Sequence, residues 1–212
     1  MKQLLEQDFT SKHDVSGNRH IARQQLITGS QSFGDPKACS ECSPFFRAGG
    51  CDNTVFKASF PYPVNKIEIE EFINGFSKIE SRRCDLLFWD NDKIVLADMY
   101  CGKSDYINEH SVDGKPVQGK KTIVRQQIES TLDLLCSVES IKEFIYSKTK
   151  KTGIMAYRDK YDGHFDDAPA KIRTSVGKFL RPTDAQKRRS LITAIAHGFS
   201  YISCRYPDVY QW

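Results

Sequence analysis

The residues of this sequence best suited to chemistry are two aspartates thirteen positions apart, Asp85 and Asp98. Each stands where an apolar run meets polar sequence. Residues 85–89 (DLLFW) and 93–98 (KIVLAD) read as strands joined by Asp90-Asn91-Asp92. Short Asn and Asp side chains suit such a turn because they bond their own backbone and tolerate left-handed φ/ψ. In an antiparallel hairpin the start of the first strand lies beside the end of the second. Two carboxylates meeting there can hold a divalent cation against a phosphate. An Asp at each end of a hairpin is ordinary in itself, so the weight comes from what surrounds the pair.

The surrounding elements form an ordered set. Residues 54–60 (TVFKASF) alternate like a strand, which Pro61-Tyr62-Pro63 is expected to end. Residues 66–81 read as a helix whose apolar face carries Ile69, Phe72, Ile73 and Phe76. Extended by one turn, that face includes Glu80, with Glu71 on the same helix as the fallback acid. After the hairpin, residues 101–119 read as a Gly-containing loop. Residues 120–138 give the clearest helix, with Val124, Ile128, Leu132 and Leu135 as its stripe and Gln126 and Gln127 beside it. Lys120, Lys121 and Arg125 in its first turns oppose the helix dipole, which points to a use such as phosphate binding. A short helix at 140–147 and a strand at 153–157 follow.

This order resembles the PD-(D/E)xK nuclease superfamily, the restriction-endonuclease-like enzymes and their relatives in phage defence, repair and CRISPR adaptation. There a strand opens with Asp, the next ends in (D/E)-x-K, and a helix often carrying Gln follows. Here the matching residues are Cys84-Asp85, Asp98-Met99-Tyr100 and Gln126-Gln127. The resemblance spans roughly residues 68–137 and implies an α/β fold, a central mixed sheet flanked by helices. It implies a metal-dependent endonuclease of DNA or RNA, with Mg²⁺ or Mn²⁺ on Asp85, Asp98 and the Met99 carbonyl, and Glu80 as the helix-borne acid. Gln127 or Gln126 would face the water or phosphate. Tyr100 stands where the family has lysine, and a neutral phenol cannot supply a positive charge. Lys103, Lys120 or Lys121 can take over the lysine's part, Tyr100 can merely orient the water, or the site is dead. In the last case the chain is a nuclease-fold subunit that binds nucleic acid or a partner protein.

A second motif precedes the hairpin: Cys39-x2-Cys42-x8-Cys51. Two cysteines separated by two residues can wrap one metal, and Gly49-Gly50 lets the third approach. Cys204, Cys101 and His20 are the candidates for a fourth ligand. Zinc is the plainest occupant, and the resemblance adds an iron–sulfur cluster; a cysteine-containing loop without metal is the other reading. A zinc-stabilised interaction protein, unrelated to nucleases, is the third function class.

Elsewhere the sequence is plainer. Residues 1–9 read as a short helix, 21–27 as helix or strand, and 29–36 as loop. Asn18, Arg19, His20 and Arg23 are phosphate-contacting types, although in a polar loop they read first as solvated residues. The acidic stretch 159–167 lacks the spacing of an EF-hand loop. A final helix is expected from its cap Thr183 to about Phe199, with Leu191, Ile192, Ile195 and Phe199 inward. It exposes a basic ridge of Lys187, Arg188 and Arg189 as a nucleic-acid surface, and His197 near its end reads as structural.

The 212 residues suit one domain: an N-terminal extension over 1–60, a nuclease-like core over 61–160 and a helical part over 161–212. Residues 1–114 carry 13 Lys/Arg and 17 Asp/Glu, net −4, whereas residues 115–212 carry 18 and 10, net +8. An acidic half holding metal ligands beside a basic half suits phosphodiester chemistry, although uneven charge is common. No apolar run has membrane-spanning length and the first ten residues lack a signal-peptide core, so the chain reads as cytoplasmic, without a membrane partner. Its seven cysteines are then expected to stay reduced. A protein partner or a second copy stays open.

Overall fold

The computed structural model describes residues 1–14, 18–34, 53–81, 83–102, 106–159 and 193–212. Cys39, Cys42, Cys51, Lys103, Lys187, Arg188 and Arg189 lie outside these, as do the cap at Thr183 and most of the acidic stretch 159–167.

A large mixed sheet dominates. Its strands are β1 (Gln25–Gly34), β2 (Thr54–Glu68), β3 (Leu86–Trp89), β4 (Lys93–Gly102), β7 (Lys150–Asp159), β8 (Thr193–Ala194), β9 (Ser200–Arg205) and β10 (Val209–Gln211). Their order is β1-β2-β3-β4-β7-β9-β8, with β10 beside β2. From β1 to β4 neighbours run antiparallel; β4, β7 and β9 run parallel. A separate hairpin, β5 (His110–Val112) and β6 (Lys115–Val117), follows β4. The helices are α1 (Lys2–Leu4), continued by a π turn into α2 (Thr10–His13), then α3 (Ile69–Asn74), α4 (Lys120–Cys136) and α5 (Glu139–Tyr146).

Strand alternation sorts the apolar residues into two cores. Leu87, Trp89, Ile94, Leu96 and Met155 face the helices and pack with Leu5, Phe9, Ile69, Ile73, Ile128, Leu132 and Ile141. Leu86, Phe88, Val95, Ala97 and Ile154 face the other way, against Phe33, Phe56 and Phe60. Each fully buried side chain of this size contributes about 1.5–3 kcal/mol. No described helix is long and apolar enough to cross a membrane.

Several expectations change. The strand expected to end at Pro61 runs on to Glu68. Pro61, Tyr62 and Pro63 fall where β1 skips from the Gly29–Phe60 pair to Ile27–Val64, a bulge in which their missing ladder bonds cost little. The helix expected over 66–81 shrinks to Ile69–Asn74, because Lys66, Ile67 and Glu68 pair with Phe88, Leu87 and Leu86. Residues 29–34, read as loop, form β1, so residues assigned to an extension are sheet strands. The loop 101–119 contains a hairpin whose turn, Asp113-Gly114, has φ of 51° and 74°.

The C-terminal helix is absent from residues 193–199. Thr193–Ala194 is strand and Ala196–Gly198 a 3₁₀ turn, with His197 and Gly198 at φ 58° and 76°, which no α-helix accommodates. Ile195 and Phe199 are buried as expected, but by strand β9 and its approach.

Candidate active site

The hairpin positions the acids. Leu86 pairs with Ala97, so continuing the same register sets Asp85 opposite Asp98. Alternation puts both on the helix-facing side, in phase with Leu87 and Leu96. Asp90 makes the turn: its Oδ1 accepts the backbone N–H groups of Asp92 and Lys93 at 2.8 and 2.7 Å, and its own N–H donates to the Lys93 carbonyl.

The two carboxyls are neighbours. Asp98 is 4% exposed, with the Asp85 carboxyl beside it. Burial, then the Asp85 charge beside it, pushes the Asp98 carboxyl well above the usual carboxylate range, and Glu70 adds to the push. Asp85 Oδ2 accepts the Met99 N–H at 2.7 Å, which ties the head of one strand to the tail of the other.

An open cleft of about 650 Å³ lies in front of the pair. Glu68, Glu70 and Glu71 line it with the two aspartates, and Lys66, Arg83 and Lys120 are its cations. Lys66 Nζ donates to Glu68 Oε1 at 2.9 Å, holding that carboxyl below its ordinary range. Tyr100 also lines the cleft, and Lys120 Nζ stands 5.3 Å from its ring centroid. Tyr100 thus carries an ammonium supplied by the next helix.

Helix α4 also sets the backbone leading into Asp85. Gln127 Nε2 donates to the Arg83 carbonyl at 3.0 Å, and Thr131 Oγ1 accepts the Cys84 N–H at 3.0 Å. The two side chains are four residues apart and therefore on one helix face. Thr131 is fully buried and its hydroxyl donates to the Gln127 carbonyl at 2.8 Å. Gln126 is exposed on the other side.

Of the expected site residues, Asp85, Asp98, Tyr100, Lys120 and Gln127 come together. Glu80 does not. Helix α3 stops at Asn74, where Gly75 makes room for the His20 ring, and Glu80 is exposed five residues on. The acids the helix does supply are Glu70 and the fallback Glu71, in its first turn, where the N–H groups of Ile69 and Glu70 meet the Asp85 carbonyl oxygen. The run Glu68-Ile69-Glu70-Glu71 directly before the apolar face was the signal for Glu70. Lys121 is exposed, its carbonyl accepting the Tyr201 hydroxyl at 3.0 Å, and Arg125 pairs with Glu129 at 3.2 Å.

Among the described residues, no group of three or more His, Cys, Asp or Glu side chains is gathered tightly enough to hold a metal ion. The pair alone is a hard-oxygen donor set with the Met99 region beside it. Mg²⁺ is commonly held by only one or two carboxylates, with water and substrate phosphate completing its shell. A carboxyl such as Asp98, whose ionisation is held back by burial and then by the Asp85 charge, fits a cation in that position.

Comparison of the chain with protein-family models, with curated proteins and with solved structures finds no match in any of the three.

Proposed function

We propose that this chain is a divalent-metal-dependent endonuclease acting on the phosphodiester bonds of DNA or RNA. The observation that carries the proposal is the neighbouring Asp85–Asp98 pair in the wall of a cleft that also holds Glu70 and Lys120. Asp85 and Asp98 would hold Mg²⁺ or Mn²⁺. Such an ion, when bound, lowers the pKa of its water and neutralises charge on the phosphate.

The chain's own residues divide the remaining work. Glu70 adds negative charge to the cation's surroundings. Lys120 supplies the positive charge that position 100 lacks and stabilises the charge that builds on the phosphate. Gln127 and Thr131 hold the strand entrance that aims Asp85. The resemblance to the PD-(D/E)xK nucleases supports the same assignment of the two acids, and through it a role in a phage-defence system.

The test is incubation with plasmid, linear duplex, single-stranded DNA and RNA, with and without Mn²⁺. Cutting that needs the metal and disappears in Asp98→Ala supports the proposal. A second reading, a nuclease fold that binds without cutting, is favoured by the tyrosine at position 100 and by the absence of a third close acid among the described residues. Salt-dependent binding with no cutting in any metal would select it.

A further inference from the structure

We infer that residues 18–24 form a phosphate-binding arm that holds the nucleic-acid backbone beside the acid cleft. This rests on the nuclease reading for the identity of the ligand, but on separate residues. A groove of about 310 Å³ lined by Arg19, His20, Ile21 and Arg23 adjoins the cleft, and Glu68 and Glu71 belong to both.

The arm has no helix or strand of its own, yet it is pinned. His20 Nε2 lies 2.7 Å from Asp14 Oδ2, and its ring stacks on Phe76 with centroids 3.9 Å apart. The Ala22 N–H donates to Glu6 Oε1 at 3.0 Å, and Ala22 is fully buried. Gln24 Nε2 donates to Asn65 Oδ1 at 2.7 Å. His20 and Ala22 are therefore fastened to the body and the exposed Gln24 is tied at its amide, while Arg19, Ile21 (57%) and Arg23 are exposed.

The Gln24 N–H donates back to the Ala22 carbonyl at 2.9 Å, a tight turn with Arg23 at its centre. Two exposed guanidiniums four residues apart, with an apolar residue between them, suit negative charges spaced along a polynucleotide backbone and can bond phosphate oxygens in pairs. The acids on the shared rim do not forbid this. Lys66 bonds Glu68, and Arg23 Nη1 lies 3.2 Å from Glu71 Oε1 with most of its guanidinium still in solvent. The pinned segment thus leaves Arg19 and most of the Arg23 side chain to solvent beside the cleft, where a phosphate can reach them.

The experiment measures binding of fluorescein-labelled DNA and RNA oligonucleotides in EDTA, where no cutting occurs, over a series of KCl concentrations. Removing one phosphate-bound cation lowers the slope of log K against log salt by about 0.7–0.9. Arg19→Ala with Arg23→Ala is expected to lower the slope by about twice that and to weaken binding at low salt at least tenfold. Arg19→Ala alone, which leaves the Arg23–Glu71 pair intact, is expected to lower it by about half as much as the double variant. Lys142→Ala with Lys150→Ala removes the same charge from a half-buried and an exposed position outside the groove and is expected to leave the slope unchanged. Slopes equal to wild type in the arginine variants, an equal decrease in the lysine variant, or no binding by the wild-type chain overturns the inference. Metal-dependent cutting with unaltered slopes sinks the arm alone; lowered slopes in a chain that never cuts sink the nuclease reading alone.

Discussion

The side-chain amide of Gln127 donates to the carbonyl oxygen of Arg83 at 3.0 Å, two residues before Asp85. The glutamine expected to face the attacking water is thus committed to the backbone that aims the acid. With Thr131 one turn on, it makes α4 a clamp on residues 83 and 84. The clamp links helix α4 to the backbone that carries Asp85.

Thr131→Val keeps the shape and removes the hydroxyl. The Cys84 N–H would then be buried without its acceptor, a cost of about 1–3 kcal/mol. Thr131→Ser keeps the acceptor and is expected to lose less than half as much. Urea denaturation of both variants checks this. The Val variant is also expected to lose Mn²⁺ affinity, read by electron paramagnetic resonance, while Ser restores it; equal affinity in both variants contradicts a clamp that sets Asp85.

The Asp98 carboxyl titrates above its ordinary range in the folded chain because it is buried beside Asp85. Above about pH 4, where an unfolded aspartate releases its proton, the folded state holds a proton that the unfolded state has lost. Stability of the metal-free protein from this group therefore falls as pH rises from the ordinary value through the raised one. Asp98→Asn removes that loss. In EDTA the melting temperature of the variant is expected to exceed that of wild type by a margin that widens with pH, about 2–4 °C for each kcal/mol. Saturating Mn²⁺ should narrow the margin by stabilising wild type alone, by about 2.7 kcal/mol at a hundredfold excess over Kd. A margin constant across pH would falsify the coupling of the pair.

Lys120 stands over the Tyr100 ring, so the two act as one unit. Lys120→Met is expected to lower kcat by about 10²–10³, the usual effect of removing one group that stabilises transition-state charge. KM and Mn²⁺ affinity should change little. Lys120→Arg should recover part of the rate, and Tyr100→Phe should keep most of it, since the ring is what lies beneath the ammonium. A rate unchanged in Lys120→Met would return the role to Lys103 or Lys121, or show that no lysine is needed.

The hairpin and the two acids were legible because they rest on local rules: two β-rich runs, an Asx turn and period-two alternation. Helices α4 and α5 and strand β7 were legible for the same reason. What was not legible depends on distant partners. Pro61 and Pro63 sit inside a strand because β1 bulges around them, and Glu70 rather than Glu80 enters the site because strand pairing claims Lys66 to Glu68 and delays the helix. Ile195 and Phe199 have helical spacing yet stand in extended backbone on either side of a 3₁₀ turn, since His197 and Gly198 take left-handed conformations between them. Arg19 and Arg23 were recognisable as phosphate-contacting types but read first as solvated loop residues, because the bonds that pin His20 and Ala22 come from distant parts of the chain.

Gly119 is where the hairpin β5–β6 meets the start of α4, and it tests whether that junction sets Lys120. A Cβ there would stand 2.3 Å from the Asn108 carbonyl carbon and 2.6 Å from its oxygen and from the Glu109 nitrogen, all backbone atoms that cannot rotate away. The Lys121 N–H donates to the Ile107 carbonyl at 3.0 Å, and Ile107 is buried in the helix-side core, so the segment has little room to retreat. Gly119→Ala should therefore push the first turn of α4 off its seat and carry Lys120 with it, while Asp85 and Asp98, held by the sheet, stay. The expected result is kcat reduced nearly as far as in Lys120→Met, Mn²⁺ affinity within about twofold of wild type, and no further loss when the two changes are combined, since both act through one group. Full activity in Gly119→Ala, or losses that simply add in the double variant, would separate the junction from the lysine.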